Sequence, residues 1–497
     1  MESSSNSKQA LWVAIGQFFT FAIGIVSPMI LSRYFTIEDY GTYKQVMYVY
    51  NTLLVVFSLG LPRAYSYFIP RVRVPESKDV VRKMTRIFTC LGVLFSLVLF
   101  LCSGFIADVL NNEELSHALK LFSPTPLFLF PVIGLEGILA SYKKTQYIAI
   151  YSIVSKLLSL CCIVAPVVLF KGSYLHSIIG FDIASFLSFL FALHVKNIPT
   201  RGIELQKTDI SYKEIFRFSI PLMTSSLWIM IYQSANQYFI SRYYGTETFA
   251  SFSNGFMEFP ITQMVINSVA TVLTPLFAGM ALKNMSGISE TWKNAIYKTV
   301  KIIYPVSIYC IFMSPIVMTC LYGSQYENSA IYFSIKNIES LFTILPFYSI
   351  LLALGKTKEY SRIHMIMAFV IVLLEYICVL LGGSPYAIAL VYLFCAITKI
   401  LLQFLLVGHC LGVKFGQLIP FHFIIKSGWV AFLSIITPVL VMIKFYSYSP
   451  WLLLFSSICI YILCYYILCW IFKLSYKDII ASYVNKEKFS LIYKIIP

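Results

Sequence analysis

Charge is scarce in this sequence. Only 12% of its 497 residues are Asp, Glu, Lys or Arg, about half of the roughly 25% usual in soluble domains. With 59% hydrophobic residues, so little charge cannot coat a soluble core, and disorder, coiled coil and fibrous repeats fail on the same numbers. Cys-x-x-Cys pairs are absent. The 12 cysteines all lie within or beside apolar runs, so they read as small packing residues rather than disulfide or metal partners. Also missing are a His-Glu-x-x-His motif and any cluster of metal ligands, and the six histidines are isolated. Gly355-Lys356-Thr357 resembles the end of a phosphate-binding loop, but Ile350 stands at the first glycine position, so nothing supports ATP hydrolysis. Neither a cofactor nor a metal is expected. Long hydrophilic loops are wanting too. The longest, Lys196–Lys213, has no room for a soluble catalytic domain. These absences leave a membrane protein that is not an enzyme.

What the chain has instead is a succession of apolar runs. A helix needs about 20 such residues to cross the hydrocarbon core, and the strict alternation of a transmembrane β-barrel is not seen. The fold class expected is therefore all-α and polytopic, with about fourteen spans. They run near 10–32, 43–68, 86–108, 118–142, 147–170, 174–195, 215–241, 249–281, 296–321, 329–354, 361–381, 386–411, 421–445 and 450–472. Pro124, Pro126 and Pro131 should kink or break the fourth, which membrane helices tolerate when neighbours satisfy the freed backbone. Met1–Gln9 is Ser-rich with a single Lys8 and lacks the charged region and cleavage site of a signal peptide, so the first apolar run is expected to remain as a span.

The formal net charge of +16 is sorted along this pattern. With the N-terminus inside, most Lys and Arg fall on inside segments, including Arg71, Arg73, Lys78, Arg82, Lys83 and Arg86 in one of them. Outside segments hold only Arg33, Lys44, Lys120, Lys171, Arg242 and Lys444. The asymmetry predicts cytoplasmic N- and C-termini and accounts for the basic balance without nucleic acid. The organisation expected is a six-helix bundle over 1–197, a cytoplasmic linker over 198–214, a second six-helix bundle over 215–411, two additional helices over 412–473, and a basic amphipathic tail over 474–497. That tail alternates Lys with Ile, Tyr, Val and Phe, a pattern suited to membrane lipids on the cytoplasmic leaflet, although a frayed tail fits equally.

Two stretches match at an offset of 209. Leu31-Ser32-Arg33-Tyr34-Phe35-Thr36-Ile37-Glu38-Asp39-Tyr40-Gly41-Thr42-Tyr43 joins the first span to the second. Ile240-Ser241-Arg242-Tyr243-Tyr244-Gly245-Thr246-Glu247-Thr248-Phe249-Ala250-Ser251-Phe252 joins the seventh to the eighth. Recurrence in the same orientation after six helices points to a parallel repeat about an axis along the membrane normal. These residues resemble the helix exits of Wzx-type flippases, the O-antigen and polysaccharide repeat-unit exporters of the multidrug/oligosaccharidyl-lipid/polysaccharide superfamily. The resemblance covers most of the chain as topology and these two stretches as residues. Many relatives carry an Asp in the seventh helix where this chain has Asn236, which removes a fixed carboxylate there.

Charges inside spans are costly and usually face a cavity or a partner. The basic set is Arg63, Lys156, Lys336 and Lys399. Lys156 shares a helix face with Ser152 and Ser159, and Lys399 one with Tyr392, Cys395 and Gln403. They read as cavity cations for phosphate, against snorkelling or structural pairing. Lys336 and Glu339, at i and i+3, either serve the cavity or pair with each other. Arg33 and Arg242 either guard an outer mouth or anchor at the interface. Asp182, Glu258 and Glu339 are candidates for ion coupling. Glu258 is expected on one helical stripe with Ser251, Asn254 and Thr262, on a helix that Pro260 interrupts, while Asp182 alternatively pairs with Lys156. Gln233, Asn236 and Gln237 in the seventh span are candidates for sugar contacts or for interhelical hydrogen bonds.

The resemblance implies transport of a polyprenyl-pyrophosphate-linked oligosaccharide across the bacterial inner membrane by alternating access. A proton or Na⁺ gradient would drive it, and a polysaccharide polymerase would be the downstream partner. The rival expectation is a cation-coupled drug exporter of the same superfamily.

Overall fold

An apolar chain in lipid has no water for its amides and must bond them internally. Among the residues that the computed structural model describes, 2–283, 286–445 and 449–477, every regular element is a helix. Among the described residues, fourteen helical stretches are long and apolar enough to cross a membrane, the number read from the apolar runs. Large apolar side chains on the outside, Leu169 and Phe170 at 70% and 81% exposure among them, form the lipid-facing surface. The protein is a multi-pass membrane protein. Its contacts group into two units, Met1–Ala250 and Ser251–Pro497.

The first unit holds α1 (Glu2–Tyr34), α2 (Ile37–Ser58), α3 (Pro62–Phe68), α4 (Val74–Leu101), α5 (Ser103–Leu110), α6 (Glu114–Phe122), α7 (Thr125–Leu129), α8 (Leu135–Ser141), α9 (Thr145–Phe170) and α10 (Tyr174–Asn197), with most of α11 (Tyr212–Gly255). Thr36 caps α2 by accepting the Asp39 N–H at 3.1 Å, with Glu38 and Asp39 in the first turn, where the helix dipole favours acids. The second span, expected to be continuous, is broken between α2 and α3. Leu59 and Gly60 are left-handed, and Pro62 opens α3 without an N–H to satisfy. A Cβ on Gly60 would stand 2.9 Å from the Ser219 carbonyl oxygen, so glycine serves both the turn and the close approach of α11.

The fourth span breaks as its prolines require, into α6, α7, a 3₁₀ turn over Phe130–Val132, and α8. A neighbour takes up one freed carbonyl, as Ser96 of α4 donates to the Ser123 oxygen, and the Thr125 hydroxyl ties the break to α10 by donating to the Asp182 carboxylate. The core here is aromatic. Phe95 stacks on Phe57 at 4.6 Å and meets Phe130 edge-on at 5.5 Å.

The second unit holds α12 (Pro260–Lys283), α13 (Ser286–Phe312), α14 (Ser314–Tyr322), α15 (Ser329–Phe342), α16 (Phe347–Ala353), α17 (Thr357–Leu380), α18 (Pro385–Leu411), α19 (Phe415–Leu418), α20 (Phe421–Lys444) and α21 (Pro450–Ile471). Fully buried Trp292 centres one core, 5.6 Å from the Phe347 ring and 6.1 Å from Phe404. The expected stripe of Glu258 with Ser251, Asn254 and Thr262 needs one correction. Helix ends at Gly255 and resumes at Pro260, so Glu258 lies in a non-helical break. Pro260 disfavours the helical region for Phe259 and starts the next helix instead. A like break over residues 343–346 separates α15 from α16 ahead of Phe347. At the start of the expected tail, Leu474 is buried and the Tyr476 hydroxyl donates to the Lys301 carbonyl at 2.7 Å. Residues 478–497 of that tail lie outside the described residues.

Candidate functional site

Helical periodicity aims two polar rows at one cavity in the first unit. Tyr48, Asn51, Thr52 and Val55 occupy a single face of α2, spaced at i, i+3, i+4 and i+7. Ser226, Met230, Gln233, Ser234 and Gln237 do the same on α11. Between them is a cavity of about 420 Å³, closed on another side by Arg63 of α3, a size within the range of ligand pockets. Its described lining carries one cation, three side-chain amides and several hydroxyls, with no carboxylate. Tyr48 donates to the Ser234 carbonyl at 3.3 Å and ties the two walls together. Arg63 and the side chains of Gln233 and Gln237 make no hydrogen bond or ion pair among the described residues, which leaves them available to a ligand.

Asn236 is placed differently. It is 1% exposed, does not line the cavity, and its side-chain oxygen accepts the Gln237 N–H at 2.8 Å. Its amide nitrogen is buried without a partner among the described residues, an arrangement that costs stability.

The matching stretches are held by a buried network. Asn112 donates to Gln45 Oε1 at 2.5 Å and to Thr42 Oγ1 at 2.9 Å. Gln45 in turn donates to Ser241 Oγ at 2.8 Å. The repeat-related arginines both bind backbone. Arg33 Nη1 donates to the Met29 carbonyl at 2.5 Å, and Arg242 Nη1 donates to the Asp108 carbonyl in the last turn of α5, where a cation complements the helix dipole. Lys156 lies across α1, its Nζ 3.9 Å from where a Cβ on Gly24 would stand. It makes no hydrogen bond or ion pair among the described residues, and Asp182 is engaged by Thr125 instead.

In the second unit the structure brings four of the nominated charges together. Lys336 Nζ donates to Glu339 Oε2 at 2.5 Å and to the Tyr392 hydroxyl at 3.1 Å. The same ammonium sits 5.3 Å from the Phe256 ring centroid, a cation–π distance. Glu258 accepts from Gln263 at 2.7 Å, and its charge is within electrostatic reach of Lys336, Glu339 and Lys399. Lys399 is in reach of the same group. The cluster lies where helices are interrupted, at residues 256–259 and just before 343–346, as binding sites of many transporters do.

Asn51, Thr52, Tyr48, Ser226 and Ser234 were not singled out from the sequence. The signal that finds them is the i, i+3, i+4 spacing of uncharged polar residues within apolar runs, which a search for charges passes over.

Comparison with known proteins gives a consistent picture. The profile of a family described as polysaccharide biosynthesis protein matches residues 7–281, more than half of the chain. The succinoglycan biosynthesis transport protein ExoT of Rhizobium meliloti (strain 1021) is 23% identical over 320 residues, 63% of this chain. The chain thus spans 62% of that relative's length. Among solved structures, the lipid II flippase MurJ in an inward closed conformation superposes with a TM-score of 0.73 at 17% identity, covering 95% of this chain and 100% of that one. An inward-facing multidrug resistance MATE family transporter of the MOP superfamily superposes with a TM-score of 0.66 at 12% identity, covering 81% of this chain and 98% of that one. At these identities the likeness is one of fold.

Proposed function

Because the chain belongs to the polysaccharide biosynthesis protein family, we propose that it is a flippase for polyprenyl-pyrophosphate-linked oligosaccharide repeat units. It moves O-antigen or capsular units from the cytoplasmic to the outer leaflet of a bacterial inner membrane, with both termini cytoplasmic. Two six-helix bundles, 1–197 and 215–411, are joined by the linker 198–214 and rock in alternating access, and 412–473 adds the last two helices.

The polar lining of the first-unit cavity carries this reading. A lipid-linked repeat unit has an anionic phosphate and many hydroxyls. Arg63 supplies the cation, while Asn51, Gln233 and Gln237 supply amides that both donate and accept. Lys156, Lys336 and Lys399 add positive charge within the spans, and Arg33 and Arg242 stand toward the outer mouth. Coupling to H⁺ or Na⁺ falls to Asp182, Glu258 and Glu339, three of the carboxylates within the spans. A polysaccharide polymerase receives the unit outside. An exporter of small cationic drugs would want carboxylates on that cavity wall, and its described lining has none.

Deleting the gene and recovering lipid-linked intermediates tests the proposal. Repeat units trapped on the cytoplasmic leaflet, with loss of surface polysaccharide, are expected. Unchanged surface polysaccharide would overturn it.

A further inference from the structure

A second cavity in the first unit, of about 630 Å³, has different chemistry. Lys78, Arg82, Arg86 and Thr89 present one face of α4 to it, at helical spacing. Lys196, at the end of α10, forms part of the opposite wall. Four cations thus line it, and no carboxylate is among the described lining residues. Lys196 is buried and donates to the Thr85 hydroxyl, while Lys78 donates to the Ile203 carbonyl at 3.0 Å. Arg82 and Arg86 are exposed and make no hydrogen bond among the described residues. Asp79, the carboxylate in reach of Arg82, is already held by Lys83 at 2.9 Å and by the Thr208 N–H at 3.1 Å.

Beyond Arg86 the exposed face of α4 turns apolar. Val93, Leu94 and Leu97 follow at 41%, 50% and 51% exposure. The rise from Arg86 to Leu97 is about 16 Å, close to half of the about 30 Å hydrocarbon core. A cationic cavity that continues into an apolar track one leaflet deep is complementary to an anion attached to an acyl chain. A free phosphate would have no use for the track.

We propose that this cavity binds an anionic phospholipid, its phosphate held by Arg82, Arg86 and Lys196 and one acyl chain lying along Val93, Leu94 and Leu97. The site is separate from the cavity at Arg63 and stands whatever the transported substrate is.

The test uses the full chain in detergent, titrated with phosphatidylglycerol, phosphatidylcholine, inorganic phosphate and farnesyl pyrophosphate, and followed by native mass spectrometry. Phosphatidylglycerol adducts are expected to persist where phosphatidylcholine adducts do not. Arg82→Gln with Arg86→Gln should weaken phosphatidylglycerol binding about thirtyfold, the loss of two interfacial cations, and Arg82→Lys with Arg86→Lys should retain most of it. If the double variant unfolds, Arg86→Gln alone, expected about fivefold weaker, carries the test. Equal binding of phosphatidylcholine, displacement by inorganic phosphate or farnesyl pyrophosphate at matched concentration, or wild-type affinity in the Gln variant would each overturn the proposal.

Discussion

Gly41 is pressed against Thr246: a Cβ on residue 41 would stand 2.4 Å from the Thr246 carbonyl oxygen. Each residue belongs to one of the two matching stretches, so within the first unit the copies meet backbone to backbone.

Gly41→Ala should therefore destabilise the protein. Overpacking against backbone costs about 1–3 kcal/mol, and the carbonyl cannot step aside as a side chain could. Thermal unfolding in detergent should show a lowered midpoint that Thr246→Ala does not restore. Gly104→Ala is the control, since its Cβ would meet nothing closer than Ser116 Oγ at 4.0 Å. Equal midpoints for the two alanine variants would refute the tight contact.

Gln45 links Asn112 to Ser241 through buried hydrogen bonds. Gln45→Leu removes one bond from each partner, while Asn112 keeps Thr42 Oγ1 and Ser241 keeps the Leu110 carbonyl, so the expected loss is about 1 kcal/mol. A double-mutant cycle with Ser241→Ala should give a coupling energy of about 0.5 kcal/mol or more. Additive effects would argue that the bond contributes nothing.

Arg63→Ala, Gln233→Ala and Gln237→Ala should lower polysaccharide export at unchanged membrane abundance, with Arg63→Ala the most severe because it removes the cavity's only described cation. Arg63→Lys should recover part of the export, as it keeps the charge and loses the fork geometry. Asn236→Ala should not impair export, because Asn236 does not line the cavity. Quantifying surface polysaccharide against protein level checks all five.

Lys336→Met or Glu339→Gln alone strands a charge or a donor from a largely enclosed pair. Breaking a buried pair from one side costs about 3–5 kcal/mol, which thermal unfolding would register. The combination Lys336→Met with Glu339→Gln should recover much of that loss. A double variant as unstable as the sum of the singles would show that the two residues act independently.

The number of spans and the broken fourth helix were legible because length, apolarity and proline act locally. The break at 59–61 was not, although Gly60 and Pro62 mark it, and Pro260 signalled an interrupted eighth span without showing that Glu258 leaves the helix. An unbroken apolar run hides such punctuation, and neighbouring helices rather than the run itself satisfy the freed backbone. For the site, the Gln233 and Gln237 face was readable from i, i+4 spacing. That Asn236 turns inward, and that Tyr48 and Asn51 stand opposite, depends on which helix packs against which. The convergence of Glu258 on Lys336 and Lys399 is of the same kind, since it arises from a helix break and not from a stripe.

Lys336, Lys399, Glu258 and Glu339 carry two positive and two negative formal charges. Each unit of charge moved across the membrane is worth about 2.3 kcal/mol per 100 mV. A group that sums to zero can shift as a body without doing work against the membrane potential. Movement of this group then contributes no current of its own, and charge displacement during transport arises from the cargo, its accompanying ion and the span charges outside the group, such as Arg63 and Lys156.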